Sequence, residues 1–327
     1  MGLEEDRLED EPKICKVAIV GAGSMAREHI RAFANVPGVT IAGLHSRTRS
    51  RAESLAFEFR IPGVYDSVNE LYEGTRADLV VVTVSETAMN PVSRACFEFP
   101  WTVLLEKPAG FNVDDAEDIH AAASAKNRKV FVALNRRFNS STRAVLSDLA
   151  NGNERRFIKV QDQEDQAQAL AYGHPAVVID NWMYANAIHI IDYFRVLGRG
   201  EITTVQPVFQ WQAQSPGVVV ARIEFDSGDI GLYEAVWNAP APWAVSVSTA
   251  QKRWEMRPLE RATFQLAGQR TLEPVPVHHW DEEFKPGFRL QAEMAVAAAL
   301  GRPSDSPSLE DSLQTMRLIK AIYSLDR

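Results

Sequence analysis

The chain has 327 residues, of which 46% are hydrophobic and 24% charged, and its formal net charge is −8. At roughly 150 residues per domain this length predicts two domains, and the composition excludes a disordered or fibrous protein. The negative charge is unfavourable for nucleic acid or an anionic membrane as the main partner, because both are bound through clustered Lys and Arg.

The N-terminus is acidic and lacks the basic and apolar regions of a secretory signal, and no apolar run is long enough to span a membrane. We expect residues 1–12 to form a disordered acidic tail. Cys15 and Cys96 have neither the spacing of a metal knuckle nor the density of a disulfide scaffold. A cytoplasmic protein without a metal site is therefore expected.

Residues 13–135 are predicted to form a doubly wound domain with a parallel sheet, because short apolar runs alternate there with amphipathic segments. Ser67 followed by Glu70 predicts a capping box, and Asn90 before Pro91 predicts a helix start. The predicted strands of this domain are 17–20, 39–45, 64–65, 79–84, 102–105 and 129–134.

Residues 136–327 show a different pattern, in which two helices at 141–150 and 184–197 precede a succession of strands. Turn residues between the strands favour antiparallel pairing, so we expect an α+β domain with an open, mostly antiparallel sheet. Two helices, 288–300 and 309–325, close the chain. The predicted strands are 202–212, 218–225, 230–237, 244–249, 253–257 and 262–266.

A glycine-rich turn follows the first strand and opens a helix, as in dinucleotide-binding domains. Gly21 permits the tight turn, Gly23 lets backbone N–H groups approach a pyrophosphate, and small Ala26 allows helix and strand to pack closely. Ser24 and Met25 lie within the same loop. We therefore expect these five residues to form the phosphate end of a cofactor site.

The second strand ends in Ser46-Arg47, where an NAD enzyme usually presents an acid to the ribose hydroxyls. A hydroxyl beside a guanidinium suits the extra phosphate of NADP, which a carboxylate would repel. NADP is thus the preferred cofactor and NAD the alternative. The competing interpretation is that Arg47 and Arg49 are solvated residues at a helix start and that the adenosine ribose is held by other groups.

Glu106-Lys107-Pro108 ends the fifth strand, at the sheet edge where open α/β sheets gather their ligands. A lysine at this edge can donate a hydrogen bond to a carbonyl oxygen and stabilise alkoxide character there. The alternative is a surface lysine paired with Glu106.

With that tripeptide, four segments resemble, in order, the glucose-fructose oxidoreductase, inositol dehydrogenase and MocA (Gfo/Idh/MocA) family: GAGSMAREH, LLEKPAG, ALNRRF and NAIHIIDYFRVLG. The resemblance covers nearly the whole chain from residue 13. It implies a Rossmann domain followed by an α/β domain whose open sheet mediates oligomerisation, as a homodimer or homotetramer. It also implies NAD(P)-dependent oxidation or reduction of a sugar, sugar derivative or cyclitol.

The resemblance further implies that Lys107 is the active-site lysine and His189 the active-site histidine, with Glu106 beside the cofactor. An imidazole also suits the chemistry independently, because it can take a proton from a hydroxyl near neutral pH. Asp192, one helical turn beyond His189, is expected to orient the ring or stabilise its charge. The alternative is a histidine packed in an apolar helix.

Two departures from the family pattern concern this site. Many members carry an acid four positions before the histidine and a glycine two before it, where this chain has Ala185 and Ala187. Asn186 is left to bond the substrate or the imidazole, or to cap the helix. The segment TVSETAMNP replaces the family's Thr-Pro-Asn, so contacts of Thr83 and Ser85 to the cofactor are expected mainly from the backbone.

For the substrate we expect Arg137 and Tyr184 to join Lys107, Asn186 and His189, because sugars stack on aromatic rings and present hydroxyls to polar side chains. The predicted function is hydride transfer between nicotinamide and a secondary alcohol or ketone. The alternative is a regulator or sensor that binds NAD(P) and has lost the chemistry, which the alanine in place of the acid makes worth considering.

Overall fold

The computed structural model describes residues 15–325, so the predicted tail lies outside the described residues. Within this range the chain forms two sheets with helices packed on them. The strands are β1 (Cys15–Val20), β2 (Val39–His45), β3 (Val64–Tyr65), β4 (Leu79–Val82), β5 (Thr102–Leu105), β6 (Val130–Val132), β7 (Phe157–Glu164), β8 (Ile202–Phe209), β9 (Val218–Phe225), β10 (Ile230–Trp237), β11 (Ala244–Ser248), β12 (Lys252–Met256), β13 (Ala262–Leu266) and β14 (Glu273–Pro274). The helices are α1 (Ser24–Ala34), α2 (Arg49–Phe59), α3 (Val68–Thr75), α4 (Glu86–Phe97), α5 (Val113–Ala125), α6 (Ser140–Leu149), α7 (Gln166–Ala171), α8 (Ala176–Asp180), α9 (Ile188–Leu197), α10 (His279–Glu283), α11 (Phe288–Ala299) and α12 (Leu309–Tyr323).

The first sheet is parallel throughout and has the order β3-β2-β1-β4-β5-β6, which confirms the predicted Rossmann arrangement. Strands β4 and β5 are buried along their whole length, because helices cover both faces of the sheet. The strand order reverses between β1 and β4. Ligands of such sheets bind in the crevice outside the carboxyl ends of the strands at this point.

The second sheet has the order β14-β13-β12-β11-β7-β10-β9-β8. Only the β7–β10 pair is parallel among its described pairings, so the predicted mostly antiparallel sheet is confirmed. Helices α9 and α12 pack against one face. The opposite face exposes apolar side chains at Phe157, Phe209 and Val218.

Two features of the first domain differ from the prediction. Helix α4 begins at Glu86 and contains Pro91, so the predicted helix start at Asn90 is wrong. The Asn90 amide instead donates to Asp115 and Asp118 of α5, at 2.7 and 2.8 Å. Ser67 does cap α3, accepting from the Glu70 N–H, but the Glu70 carboxylate bonds the N–H of Asp66 rather than that of Ser67.

The end of the chain returns to the first domain. Phe288, Ala292 and Ala295 of α11 are buried in the same core as Ile30 and Phe33 of α1. Phe288, the first residue of α11, also lines the crevice, although α11 follows the second sheet in sequence. The domain boundary at residue 135 stays a prediction. Within residues 15–325, no helix combines the length and the apolar character needed to cross a membrane.

Candidate active site

The glycine turn between β1 and α1 has the geometry of a phosphate cradle. Gly21 has φ of +117°, and a Cβ there would lie 2.5 Å from the carbonyl oxygen of Thr83. A Cβ at Gly23 would meet no atom within 4 Å, and no side chain caps the start of α1. Backbone N–H groups at this helix end are thus left for an anion. The turn therefore fits the pyrophosphate of a dinucleotide.

Ala26 is fully buried under the helix, so it contributes packing rather than a surface for the cofactor. Ser24 and Met25, by contrast, line the large cleft beside the turn.

A groove of about 280 Å³ extends from the glycine turn to the end of β2. Ser46, Arg47, Thr83 and Ser85 all line it, so the structure brings these predicted residues together. Arg47 is exposed, and among residues 15–325 no ion pair is formed by it. Arg49, in contrast, pairs with two acids, Glu53 and Asp66. The guanidinium of Arg47 is thus left for a ligand phosphate, unlike that of Arg49.

The main cleft has a volume of about 840 Å³ and lies between the carboxyl edge of the first sheet and the second domain. It joins the glycine turn to the predicted catalytic groups, because Gly23, Lys107, Asn186 and His189 all line it. These residues come from three separate segments of the chain. The predicted meeting of Lys107 and His189 at one cleft is present in the structure.

Lys107 is held by its surroundings on both sides. Its Nζ donates to the carbonyl oxygen of Ala185 at 2.8 Å, and its N–H donates to Glu106 at 3.0 Å. Burial lowers the pKa of Lys107, against the opposing charges of Glu106 and Glu86. A lysine with a lowered pKa is a stronger proton donor near neutral pH.

Glu106 is buried and is hydrogen-bonded to His29 Nε2 at 2.7 Å, a contact that the sequence analysis missed. Burial raises the pKa of Glu106, but the hydrogen bond and the charge of His29 outweigh it and the net pKa is lowered. Glu106 thus stays ionised behind Lys107. The contact to His29 reaches from β5 to α1, and nothing in the local sequence around either residue signals it.

The His189 ring lines the cleft at the start of α9, while its Nδ1 is buried with no hydrogen-bond partner among the described residues. Burial lowers the pKa of His189 well below its usual value, and the positive charges of Lys107, Arg136 and Lys285 lower it further. The imidazole is therefore neutral at neutral pH and able to accept a proton. The positive charges around His189 thus disfavour its protonated form in the absence of a substrate proton.

Asp192 does not orient His189, contrary to the sequence-based expectation. Both of its oxygens accept from Arg137, at 2.7 Å each, and Oδ1 also accepts from Thr315 at 2.8 Å. This bidentate pair ties the turn after β6 to α9 and α12. Arg137 is consequently used within the protein and does not line the cleft.

Arg136, the neighbour of Arg137, is the arginine that lines the cleft. Its guanidinium lies 4.3 Å from the ring centroid of Trp243 and donates to Glu260 at 2.8 Å. The two arginines point to different sides because residues 135–138 form a 3₁₀ turn, in which successive side chains diverge. Tyr184, also predicted for the substrate, is 2% exposed and lies outside the cleft lining.

Asn186 lines the cleft on a π-helical turn, Met183–Ala187, that directly precedes α9. It is not a helix cap, because its amide nitrogen donates to the Glu164 oxygens at 3.2 and 3.0 Å. Single π-turns of this kind occur frequently at functional sites. Glu164, which accepts these hydrogen bonds from the side of Asn186 away from the cleft, is fully buried on β7. It is a site residue that the sequence analysis missed.

Glu164 forms a buried acid pair with Asp162, two residues earlier on the same face of β7. Asp162 accepts from Tyr233 and from Trp243, both at 2.7 Å. Burial raises the pKa of Asp162 to about 6, and burial and the charge of Asp162 raise that of Glu164 well above its usual value. Both shifts favour the protonated forms of these buried acids.

Comparison with known proteins agrees with this architecture. Residues 15–134 match the family model GFO_IDH_MocA, described as an oxidoreductase family with an NAD-binding Rossmann fold. The match confirms the family resemblance and the nicotinamide dinucleotide cofactor expected from the motifs.

Among similar curated proteins, 4-carboxy-2-hydroxymuconate-6-semialdehyde dehydrogenase of Sphingobium sp. is 25% identical over 188 residues, 55% of this chain and 58% of that protein. Inositol 2-dehydrogenase of Salmonella typhimurium is 24% identical over 202 residues, 61% of this chain and 59% of that protein. The chain thus spans less than two thirds of these relatives. The structure of a levoglucosan dehydrogenase with NADH and levoglucosan has a TM-score of 0.78 at 16% identity, covering 96% of this chain and 98% of that one, and shows the shared fold.

Proposed function

We propose that this chain, whose residues 15–134 match the Gfo/Idh/MocA oxidoreductase family, interconverts a secondary alcohol and a ketone of a sugar, sugar derivative or cyclitol with NAD(P) as cofactor. When bound, the nicotinamide supplies the hydride donor or acceptor. The observation that carries the proposal is the convergence of Lys107 and His189 on the cleft that begins at the glycine turn. Relatives that act on inositol and a neighbour that binds levoglucosan support the substrate class.

The two groups have complementary roles in this proposal. Lys107 donates a hydrogen bond from Nζ to the reacting oxygen, and its ammonium stabilises negative charge as that oxygen becomes alkoxide-like. Neutral His189 takes the hydroxyl proton during oxidation and returns it during reduction. Because its Nδ1 is buried, the proton is accepted at Nε2.

The preference for NADP is part of the proposal. Arg47 has no carboxylate partner among the described residues, and Ser46 beside it offers a hydroxyl. Arg51 lines the same groove and adds a second positive charge. Together these groups suit a 2′-phosphate better than two ribose hydroxyls.

We also propose a cytoplasmic homodimer or homotetramer assembled through the second sheet. The face of that sheet away from α9 and α12 exposes Phe157, Phe209 and Val218 at 45%, 60% and 51%. A row of exposed apolar side chains on an open sheet is favourable for association with another copy. Light scattering after size exclusion tests this, and a monomer at micromolar concentration would contradict it.

The experiment that tests the enzymatic proposal incubates the purified protein and NADP, or NADPH, with a panel of sugars, inositols and uronates. Turnover is followed through the nicotinamide absorbance. Oxidation or reduction of the cofactor by one class of polyol or ketone is expected. Cofactor binding without any redox change across the panel would instead support the alternative suggested by Ala185, a regulator that keeps the fold without the chemistry.

A further inference from the structure

The amide of Asn186 has a defined orientation in the cleft. Its nitrogen is engaged by Glu164 behind it, at 3.2 and 3.0 Å, whereas its Oδ1 receives no hydrogen bond from residues 15–325. The residue lines the main cleft together with Lys107 and His189. An amide has one donor end and one acceptor end, so fixing the nitrogen leaves the carbonyl oxygen for a ligand.

Glu164 is itself locked in place. It is fully buried, and its neighbour Asp162 accepts from Tyr233 of β10 and from Trp243, both at 2.7 Å. Both acids are buried on the same face of β7, which favours their protonated forms, and a protonated Glu164 carboxyl can donate to Asp162. The positive charge of Lys107, which lines the cleft, lowers the pKa of Glu164 and so opposes part of the effect of burial.

A flipped amide would be costly in this setting. It would turn the acceptor Oδ1 of Asn186 toward Glu164, and the buried Glu164 oxygens that now accept from the amide nitrogen would lose their donor. The acid pair thus selects one of the two amide orientations. No other described hydrogen bond of the Asn186 side chain does so.

We propose that Glu164 is a positioning residue that holds Asn186 with its carbonyl oxygen toward the cleft, where that oxygen accepts a hydrogen bond from a substrate hydroxyl near the reacting carbon. This inference rests on the proposed function and specifies its substrate further. The preferred substrate carries a hydroxyl donor beside the carbon that reacts. A keto or methoxy group at that position is disfavoured, because two acceptors would then face each other.

The decisive comparison is between two variants of Glu164. Glu164→Gln retains an acceptor for Asn186 and donates an N–H to Asp162, as the protonated acid does, so the KM of the best polyol of the panel should stay within about twofold. Glu164→Leu removes the acceptor and frees the amide, so KM should rise about tenfold while kcat changes less. Gln161→Leu, on the opposite face of β7, is the matched control and should leave KM unchanged.

Coupling to Asn186 separates positioning from loss of structure. Asn186→Ala should raise KM to the same extent as Glu164→Leu, and the double variant should be no worse than either single one. A Glu164→Gln variant as impaired as Glu164→Leu would overturn the assignment of a protonated acid. A Glu164→Leu variant with unchanged KM, or effects that simply add, would overturn the positioning role.

One readout does not depend on turnover. In the protein loaded with NADPH, the side-chain amide of Asn186, assigned from its loss in Asn186→Ala, should give an NMR signal that exchanges slowly with solvent in the wild type and in Glu164→Gln. It should exchange rapidly in Glu164→Leu. If this pattern holds and no polyol is turned over, the proposed function fails and the positioning stands. Rapid exchange in the wild type overturns the positioning whatever the activity.

Discussion

Replacing Arg137 by methionine should destabilise the fold and leave substrate binding unchanged. The guanidinium makes two bonds of 2.7 Å to Asp192, and the two side chains are only 19% and 4% exposed. Methionine keeps much of the aliphatic stem but leaves the Asp192 carboxylate buried with Thr315 as its remaining side-chain donor. Removing one partner of a buried ion pair costs about 3–5 kcal/mol, and the remaining donor places the expected loss near 3 kcal/mol.

Urea unfolding followed by tryptophan fluorescence measures this loss. Arg143→Met is the matched control, because Arg143 is 45% exposed and pairs with an exposed acid, Asp305, so a change below about 0.5 kcal/mol is expected. Adding Asp192→Leu to Arg137→Met should recover part of the loss, since no unpaired charge then remains. Wild-type stability combined with a tenfold higher KM would refute the reasoning and make Arg137 a substrate ligand.

Three further outcomes are expected. Lys107→Met should lower kcat at least about 100-fold, while the dissociation constant of NADPH, measured by fluorescence titration, stays within about threefold. Lys126→Met, which removes one side of a surface ion pair, is the control. If the two variants are equally active, Lys107 does not have the catalytic role proposed for it. Arg47→Ser should weaken NADPH binding about 10- to 100-fold and change NADH binding little. Arg49→Ser, the control, should leave the binding of both cofactors unchanged. A wild-type protein that binds NADH more tightly than NADPH would contradict the proposed preference for NADP. Burial lowers the pKa of His189, so below pH 6.5, the usual pKa of histidine, the unfolded chain binds a proton that the folded protein does not. The free energy of unfolding should therefore fall by up to about 1.4 kcal/mol for each pH unit below 6.5. In urea titrations at several pH values, His189→Gln should flatten this slope.

Much of the fold could be predicted because its strands are apolar runs closed by turn residues. Strands β2, β5, β9 and β10 have the predicted bounds, and each combines inward-facing aliphatic residues with a clear end. The start of α4 could not be predicted in the same way. Asn90 before Pro91 has the local pattern of a cap, and only the partners of Asn90 on α5 show that its side chain is used elsewhere.

The sequence analysis did not predict strand β7, and for the same reason it did not predict the acids Asp162 and Glu164 of the site. Its sequence FIKVQDQE places Asp162 and Glu164 on the inward face, where the alternation of a half-buried strand calls for apolar residues. Their burial is compensated by Tyr233, Trp243 and Asn186, all distant in sequence. A polar strand of this kind is recognisable only when its partners are known, since each carboxyl group alone reads as solvent-exposed.

The pKa values of the site residues could be predicted from the sequence even less than strand β7 could. Lys107 and His189 can be picked out individually, because one ends a strand at the ligand-binding edge and the other suits proton transfer. Arg136 and Lys285 have no such signal and read as surface residues, yet their charges contribute to lowering the pKa of both groups. The neutral state of His189 is thus a property of cations assembled from segments before and after it. If that assembly keeps the base unprotonated, replacing Lys285 with methionine should raise the pKa of His189 in a pH titration of activity, while a replacement of distant Lys126 should not.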